Sequence, residues 1–181
     1  METTLQQQLA ALQERMGKLE AGTKDQLSMV VFSGDMDKIL AAMIIATGAA
    51  AYDMKVNLFF TFWAISALRD PKKQAKGKKL MEKMFGMMLP KGSDNVKLSK
   101  MNMGGMGTSM IKSIMKKHKV APLGDMFATA GELGVTVNIC EMSMNLMGFR
   151  REEMIDYPDM NICGVATFLA DAAESKIQLF I

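Results

Sequence analysis

The two cysteines are the side chains of this 181-residue sequence best suited to covalent chemistry. Cys140 ends the apolar segment Val135–Cys140, which is typical of a buried strand. A strand of this kind would bring the thiol to the carboxyl edge of a parallel sheet, where α/β folds bind their ligands. A helix starting just after it would favour the thiolate, which is the form that attacks sulfur electrophiles. Position alone leaves two roles open for Cys140: a nucleophilic thiol, or a packed apolar thiol, which is the commoner role of a free cysteine.

A second thiol, Cys163, precedes Gly164 at another predicted turn from a strand to a helix. If both turns face one cleft, Cys163 is suited to resolve a persulfide or to form a disulfide with Cys140. The alternative is a cysteine packed in the core, and we favour it because free cysteines are among the most buried residues. The sequence does not fix the distance between the two sulfurs.

Methionine is unusually abundant, at 21 of 181 residues, and four methionines surround a glycine-rich stretch. These four are Met101, Met103, Met106 and Met110. Thioether sulfurs bind Cu(I), and methionines also form adaptable apolar surfaces. We favour a flexible apolar lid over the Cys140 site, because no cysteine or histidine lies near this stretch in sequence.

Other kinds of site lack the residues that they need. The only histidine, His118, lies among lysines, and the sequence has no GxSxG motif for a serine hydrolase. It also has no GxGxxG motif, no P-loop and no CxxC pair, so nucleotide and zinc sites are not indicated. We therefore expect no metal ion and no organic cofactor.

Charge and cysteine content bear on the partners and the compartment. The net charge is only +3, so we expect no nucleic-acid partner. Two cysteines and a start without a signal-peptide pattern favour a cytoplasmic protein with reduced thiols. A lysine cluster (Lys72, Lys73, Lys76, Lys78 and Lys79) is interpreted as a solvated helix face. The alternatives are a surface for an anionic donor or an acidic partner, and peripheral contact with anionic lipid.

Apolar runs alternate with helical patterns over most of the chain. We predict strands at Leu27–Ser33, Val56–Phe60, Val135–Cys140 and Ile177–Ile181, and one more near Asn161. We predict helices at Asp37–Ala51, Thr61–Arg69, Pro122–Leu133 and Val165–Ala173. This alternation predicts an α/β fold with a mostly parallel sheet of about five strands.

Two segments depart from this alternation. Residues 1–25 form an amphipathic N-terminal helix in our prediction, with a stripe of Leu5, Leu9, Leu12, Met16 and Leu19. The stripe either joins subunits or packs on its own domain. Residues 72–119 are rich in lysine, methionine and glycine. We interpret them as an insertion in a single α/β domain spanning residues 26–181, because they lack the apolar periodicity for a core of their own.

The segment Gly134–Phe149 resembles the cysteine segment of the DsrE/DsrF-like sulfur-relay family. In that family a strand ends in a cysteine, a short helix of small residues follows, and a glycine comes eight residues after the cysteine. Cys140 and Gly148 have this spacing, and the Met-rich run CEMSMNLMGF is similar to a longer branch of DsrE proteins. The segments Leu27–Ala51 and Gly164–Ala173 also resemble the family, so the likeness covers roughly residues 26–181.

This resemblance implies a flavodoxin-like three-layer sandwich and a sulfurtransferase function. Cys140 would carry sulfane sulfur as a persulfide, with no cofactor, between sulfur-donor and sulfur-acceptor proteins. The resemblance also implies a homo-oligomer. The insertion at 72–119 and the N-terminal helix exceed the short family members, which indicates a partner or substrate of its own. The alternative function is a non-catalytic interaction or membrane-docking module with a Met-rich loop, or, less favoured, Cu(I) binding.

Overall fold

One sheet of five parallel strands organises the part of the chain that the structure describes. This computed structural model describes residues 2–22 and 24–181, without the side chains of residues 2–5 and 18–21. The strands are β1 (Lys24–Val31), β2 (Lys55–Phe60), β3 (Thr136–Cys140), β4 (Met160–Cys163) and β5 (Ser175–Phe180). Their spatial order is β4-β3-β2-β1-β5, and every pairing is parallel. The predicted α/β class with a parallel sheet is confirmed.

Helices connect these strands. The described α-helices are α1 (Glu2–Ala21), α2 (Met36–Ala51), α3 (Leu80–Met88), α4 (Met106–Lys117), α5 (Leu123–Glu132), α6 (Glu141–Leu146) and α7 (Val165–Ala173). Short 3₁₀ turns lie at Phe62–Leu68, Ser93–Asn95, Met103–Gly105 and Arg151–Glu153. Helices α2 and α5 pack together on one face of the sheet, and α7 packs on the other face against β1 and β5. The result is three layers.

The two faces of the sheet differ in polarity, because successive side chains of a strand point to opposite faces. Apolar side chains fill the face under α2 and α5; they include Leu27, Met29, Leu58, Phe60, Val137 and Ile139, all buried. The opposite face carries buried polar side chains at Ser28, Asn57 and Asn138. Cys140 follows Asn138 by two residues and so belongs to this more polar face.

The connection between β2 and β3 contains residues 72–119, and a buried ionic cluster holds it on the sheet domain. Lys78 of this connection forms an ion pair with Glu153, and the Arg69 guanidinium lies 3.7 Å from the same carboxylate. Arg69 also lies 4.5 Å above the centre of the Phe149 ring. Our prediction of a solvated lysine helix is wrong for Lys78, whose side chain is 6% exposed. The stretch before Leu80 is irregular rather than helical, and Lys73 and Lys78 within it bind groups of the sheet domain.

The N-terminal helix α1 spans Glu2–Ala21, within the predicted segment 1–25, and has an exposed apolar stripe. Leu9, Leu12 and Met16 each expose more than half of their surface, so this stripe does not pack on the sheet domain. The Leu5 and Leu19 side chains lie outside the described residues. Among the described helices, none combines the length and the apolar content needed to cross a bilayer.

Candidate functional site

Cys140 lies at the carboxyl end of β3, a strand with neighbours on both sides. It is the last residue of β3 and also caps α6, which begins at Glu141. The predicted order of strand, cysteine and helix is therefore the order found, although α6 has only six residues. Cys140 is 5% exposed, so its sulfur lies just beneath the surface at the sheet edge.

Hydroxyl and backbone N–H groups surround the Cys140 sulfur. The Ser143 hydroxyl donates to Sγ of Cys140 over 3.4 Å. The backbone N–H groups of Met142 and Ser143 also stabilise the charged form of this sulfur, and the Thr61 hydroxyl lowers the thiol pKa from its place beside Ser143. The Thr61 and Ser143 hydroxyls lie 2.8 Å apart, and both side chains are buried. The sulfur thus faces a small, buried set of donors without a basic side chain among them.

These donors set the protonation state of Cys140. Burial raises the pKa of the Cys140 thiol, because it removes water from around the charged form. The hydrogen bonds from Ser143, Thr61 and the Met142 N–H act in the opposite direction, because they stabilise the thiolate. They outweigh burial, so the pKa of Cys140 lies below its ordinary value. The arrangement can therefore hold a reactive thiolate without a histidine.

Thr61 and Ser143 were not predicted as site residues, although the position of each in the sequence indicates that it lies near Cys140. Thr61 directly follows β2, the neighbour of β3, so its side chain emerges at the same sheet edge as Cys140. Ser143 is three residues after Cys140, at the helix position whose backbone N–H a capping side chain normally contacts. Comparing Cys140–Ser143, a C-x-x-S pattern, with the C-x-x-C motif would have identified the serine.

Gly148 follows the helix that starts at the cysteine and leaves room for α3. Its φ of +66° is the left-handed conformation that helix C-termini favour for glycine. A Cβ atom at this position would lie 2.6 Å from Cβ and Cγ of Glu82 in α3. The glycine eight residues after Cys140 therefore allows the β2–β3 connection to pack beside the thiol segment.

Cys163 ends β4 and is the register partner of Cys140 on the neighbouring strand. Burial raises the pKa of the Cys163 thiol. Thr167 lowers it by hydrogen bonding, whereas the charges of Cys140 and Asp171 raise it further, and the net shift is upward. The two thiols are therefore close neighbours with opposite shifts of pKa, and both are free cysteines.

The four methionines of the predicted lid do not cover Cys140. Met101, Met103, Met106 and Met110 are all exposed. Their segment instead contacts α2, since the N–H and hydroxyl of Ser99 bind the Asp37 carboxylate and the Met36 N–H binds the Lys97 carbonyl. Helix α3 of the connection contacts the thiol segment, where Glu82 lies against Gly148. In the described part of the chain, histidine, cysteine and acidic side chains form no group of three or more that could hold a metal ion.

Comparison with known proteins places the whole sheet domain in one family. The model of the DsrE/DsrF/DrsH-like family matches residues 23–180. The chain is 49% identical over 154 residues to the uncharacterized protein YrkE of Bacillus subtilis, covering 85% of this chain and 95% of that protein. It is 31% identical over 160 residues to the sulfur carrier protein DsrE2 of Allochromatium vinosum, covering 86% and 98%.

A solved structure has the same fold. The ychN protein of E. coli superposes with a TM-score of 0.50 at 10% identity, and the match covers 86% of this chain and 98% of that one. The α/β architecture, the family model and the two relatives all agree with the resemblance of the cysteine segment. The chain therefore belongs to the DsrE/DsrF/DrsH-like family.

Proposed function

We propose that this protein is a sulfur carrier that holds sulfane sulfur as a persulfide on Cys140 and passes it to an acceptor thiol. The observation that carries this proposal is the set of donors around Cys140, which lowers the thiol pKa despite burial. The likeness to the sulfur carrier protein DsrE2 supports it further. The proposed setting is the cytoplasm, where thiols stay reduced and available.

Loading begins with the Cys140 thiolate. It attacks the outer sulfur of a donor persulfide, a new S–S bond forms on Cys140, and the donor leaves as its thiolate. The electron pair of the broken S–S bond goes to the donor sulfur, so no external oxidant or reductant is needed. Hydrogen bonding by Ser143, Thr61 and the Met142 N–H favours the ionised form of Cys140 that makes this attack.

Unloading reverses the roles of the two sulfurs. An acceptor thiolate attacks the outer sulfur of the Cys140 persulfide, and Cys140 leaves as a thiolate. The same hydrogen bonds stabilise Cys140 as this leaving group, because a lower pKa makes a better leaving thiolate. Because Cys140 is only 5% exposed, its surroundings restrict access to a bound sulfane sulfur until an acceptor docks.

Intact-mass spectrometry after incubation with polysulfide tests this function. The protein should gain mass in steps of one sulfur, about 32 Da, and a reductant should remove the gain because persulfides are reversible. Cys140→Ser should abolish the gain and Cys163→Ser should keep it. If neither cysteine carries sulfur under an excess of donor, the sulfur-carrier function is wrong.

An interaction module without sulfur transfer is the second candidate, and the surface of α3 favours it. Leu80, Met81, Met87 and Met88 are exposed on this helix, which packs beside the thiol segment. A module of this kind would bind its partner equally well after the substitution Cys140→Ser. Unchanged cellular function of this variant would support the interaction module and overturn sulfur transfer.

A further inference from the structure

The register of β3 and β4 places the two thiols side by side. Cys140 and Cys163 are Cα partners in this parallel pairing, and the pairing ends at them. In-register residues of adjacent parallel strands project to the same face, and neighbouring strands lie about 4.8 Å apart. Disulfides join residues whose Cα atoms are about 4.4–6.8 Å apart. The register therefore gives the Cα atoms of Cys140 and Cys163 a separation that a disulfide can bridge.

The local backbone also allows the small adjustment that a bond would need. Cys140 and Cys163 each end a strand, so the residue that follows each cysteine is not held by strand pairing. Gly164 follows Cys163, and the space around its Cα would accept a side chain without contact. Closing a disulfide here therefore requires movement of two strand ends, not of the sheet.

The electrostatics show that the two sulfurs influence each other. Burial raises the pKa of Cys163 most, a hydrogen bond from Thr167 lowers it, and the charges of Cys140 and of Asp171 in α7 raise it further. The two pKa shifts have opposite directions, downward for Cys140 and upward for Cys163, so Cys140 is the more readily ionised thiol of the pair. This difference suits Cys140 to attack a sulfur donor, while the raised pKa of Cys163 keeps that thiol protonated near neutral pH.

We infer that Cys163 is a resolving thiol that discharges the Cys140 persulfide when no acceptor takes its sulfur. Cys163 attacks the inner sulfur, Sγ of Cys140, and a Cys140–Cys163 disulfide forms while the S–S bond of the persulfide breaks. The outer sulfur leaves as hydrosulfide and takes up the Cys163 thiol proton. The two cysteine sulfurs are oxidised and the sulfane sulfur is reduced, so the step balances without an external oxidant.

This inference rests on the proposed persulfide on Cys140 and adds a second route for its sulfur. Transfer to an acceptor regenerates the thiolate, whereas internal discharge releases hydrosulfide and leaves a disulfide that cannot accept sulfur. A dithiol reductant must then open the disulfide before the next loading. Because Cys163 is mostly protonated, discharge is slow near neutral pH, which leaves time for an acceptor to bind.

The test follows loaded protein over time, without oxygen and without any acceptor thiol. The full chain and its Cys163→Ser and Cys163→Ala variants are loaded with polysulfide, freed of excess donor and sampled for intact mass and released hydrosulfide. The unsubstituted protein should lose its gain of about 32 Da and end about 2 Da below the reduced mass, with one hydrosulfide released per disulfide. Both variants should keep the added sulfur at least about tenfold longer, since they lack the attacking thiol.

Peptide mapping and controls separate the outcomes. A non-reducing digest should link the peptides of Cys140 and Cys163, at a yield that does not change on dilution, as an intramolecular bond requires. Unloaded protein kept under the same conditions should remain reduced. If the unsubstituted protein and both variants load and then lose sulfur at the same rate, the resolving role is wrong and the carrier function stands. If none of them loads, the carrier function itself is overturned, and this inference with it.

Discussion

The hydroxyl oxygens of Thr61 and Ser143 lie 2.8 Å apart, and the Ser143 hydroxyl donates to the sulfur of Cys140. Thr61 follows β2 and Ser143 lies in α6, so two elements that are far apart in sequence meet at one thiol. Because both side chains are buried, water does not compete for these hydrogen bonds. The pair therefore stabilises the thiolate by protein groups alone.

Ser143→Ala should make Cys140 less reactive near neutral pH. The substitution removes the hydroxyl that donates to Sγ and leaves the Ser143 backbone N–H in place. We expect alkylation of Cys140 to slow by about fivefold to tenfold, which corresponds to a loss of about 1–1.4 kcal/mol of thiolate stabilisation. The rate of iodoacetamide labelling, followed on the Cys140 peptide, measures this change.

Met142→Ala is the matched control for this prediction. Met142 also contributes to thiolate stabilisation, but through its backbone N–H, which the substitution keeps. Its side chain is exposed, so its loss should leave the labelling rate of Cys140 within about twofold. Equal rates for Ser143→Ala and the unsubstituted protein would show that the hydroxyl does not stabilise the thiolate.

Much of the fold is predictable because the elements carry strong local patterns. The predicted helix Val165–Ala173 has the observed bounds, and the predicted strand Val135–Cys140 contains β3. The segment Thr61–Arg69 instead forms a 3₁₀ turn at Phe62–Leu68. Its Ala, Ile and Leu side chains are buried at the sheet edge, so tertiary packing decides its backbone rather than helix propensity.

The site is less predictable, because it depends on which strands are neighbours. A strand pattern identifies a residue as buried but does not name its partner, so the pairing of Cys140 with Cys163 becomes visible only in the register. The same holds for Thr61, which reaches the thiol because β2 lies beside β3. The burial of Lys78 depends on Glu153, which lies 75 residues later in the sequence.

Gly148→Ala should destabilise the protein more than the same change at Gly134. Both glycines have φ near +70°, where a Cβ costs about 1 kcal/mol. At Gly148 the Cβ would also collide with Glu82, whereas the space at Gly134 is open. We expect a further loss of about 1–3 kcal/mol at Gly148, measured by urea unfolding. Equal losses at the two positions would mean that α3 moves away at little cost.

Tyr157→Phe should weaken the start of β3 without affecting sulfur loading. The Tyr157 hydroxyl donates to the Val135 carbonyl over 2.7 Å, and burial together with the Asp159 carboxylate raises the pKa of Tyr157. Removing the hydroxyl leaves this carbonyl without the bond, which costs about 1–1.5 kcal/mol in the free energy of unfolding. Tyr52→Phe is the control, since Tyr52 is exposed and its change should be close to zero.

The exposed stripe of α1 should contribute to self-association. Leu9, Leu12 and Met16 have the spacing of a helix-pairing stripe, and an exposed apolar stripe is buried by pairing with a second copy. Replacing all three by glutamine should lower the mass measured by light scattering. Ala11→Gln, which adds one such side chain on the opposite face, should leave the mass unchanged. An unchanged mass in the triple variant would remove α1 from the interface.

The two thiols should respond to pH in different ranges. Burial raises the pKa of Cys140, but hydrogen bonding outweighs burial and lowers this pKa below the ordinary value of a cysteine thiol. Alkylation of Cys140 should therefore persist at pH values below the ordinary pKa of a cysteine. Burial and the charges of Cys140 and Asp171 raise the pKa of Cys163 despite the Thr167 hydrogen bond, so Cys163 should label only at higher pH. Peptide-resolved alkylation from acid to alkaline pH measures both profiles, and in denaturant the two should converge, because the shifts depend on the fold. Profiles that coincide in the folded protein would show that the two thiols do not divide the roles of loading and resolving.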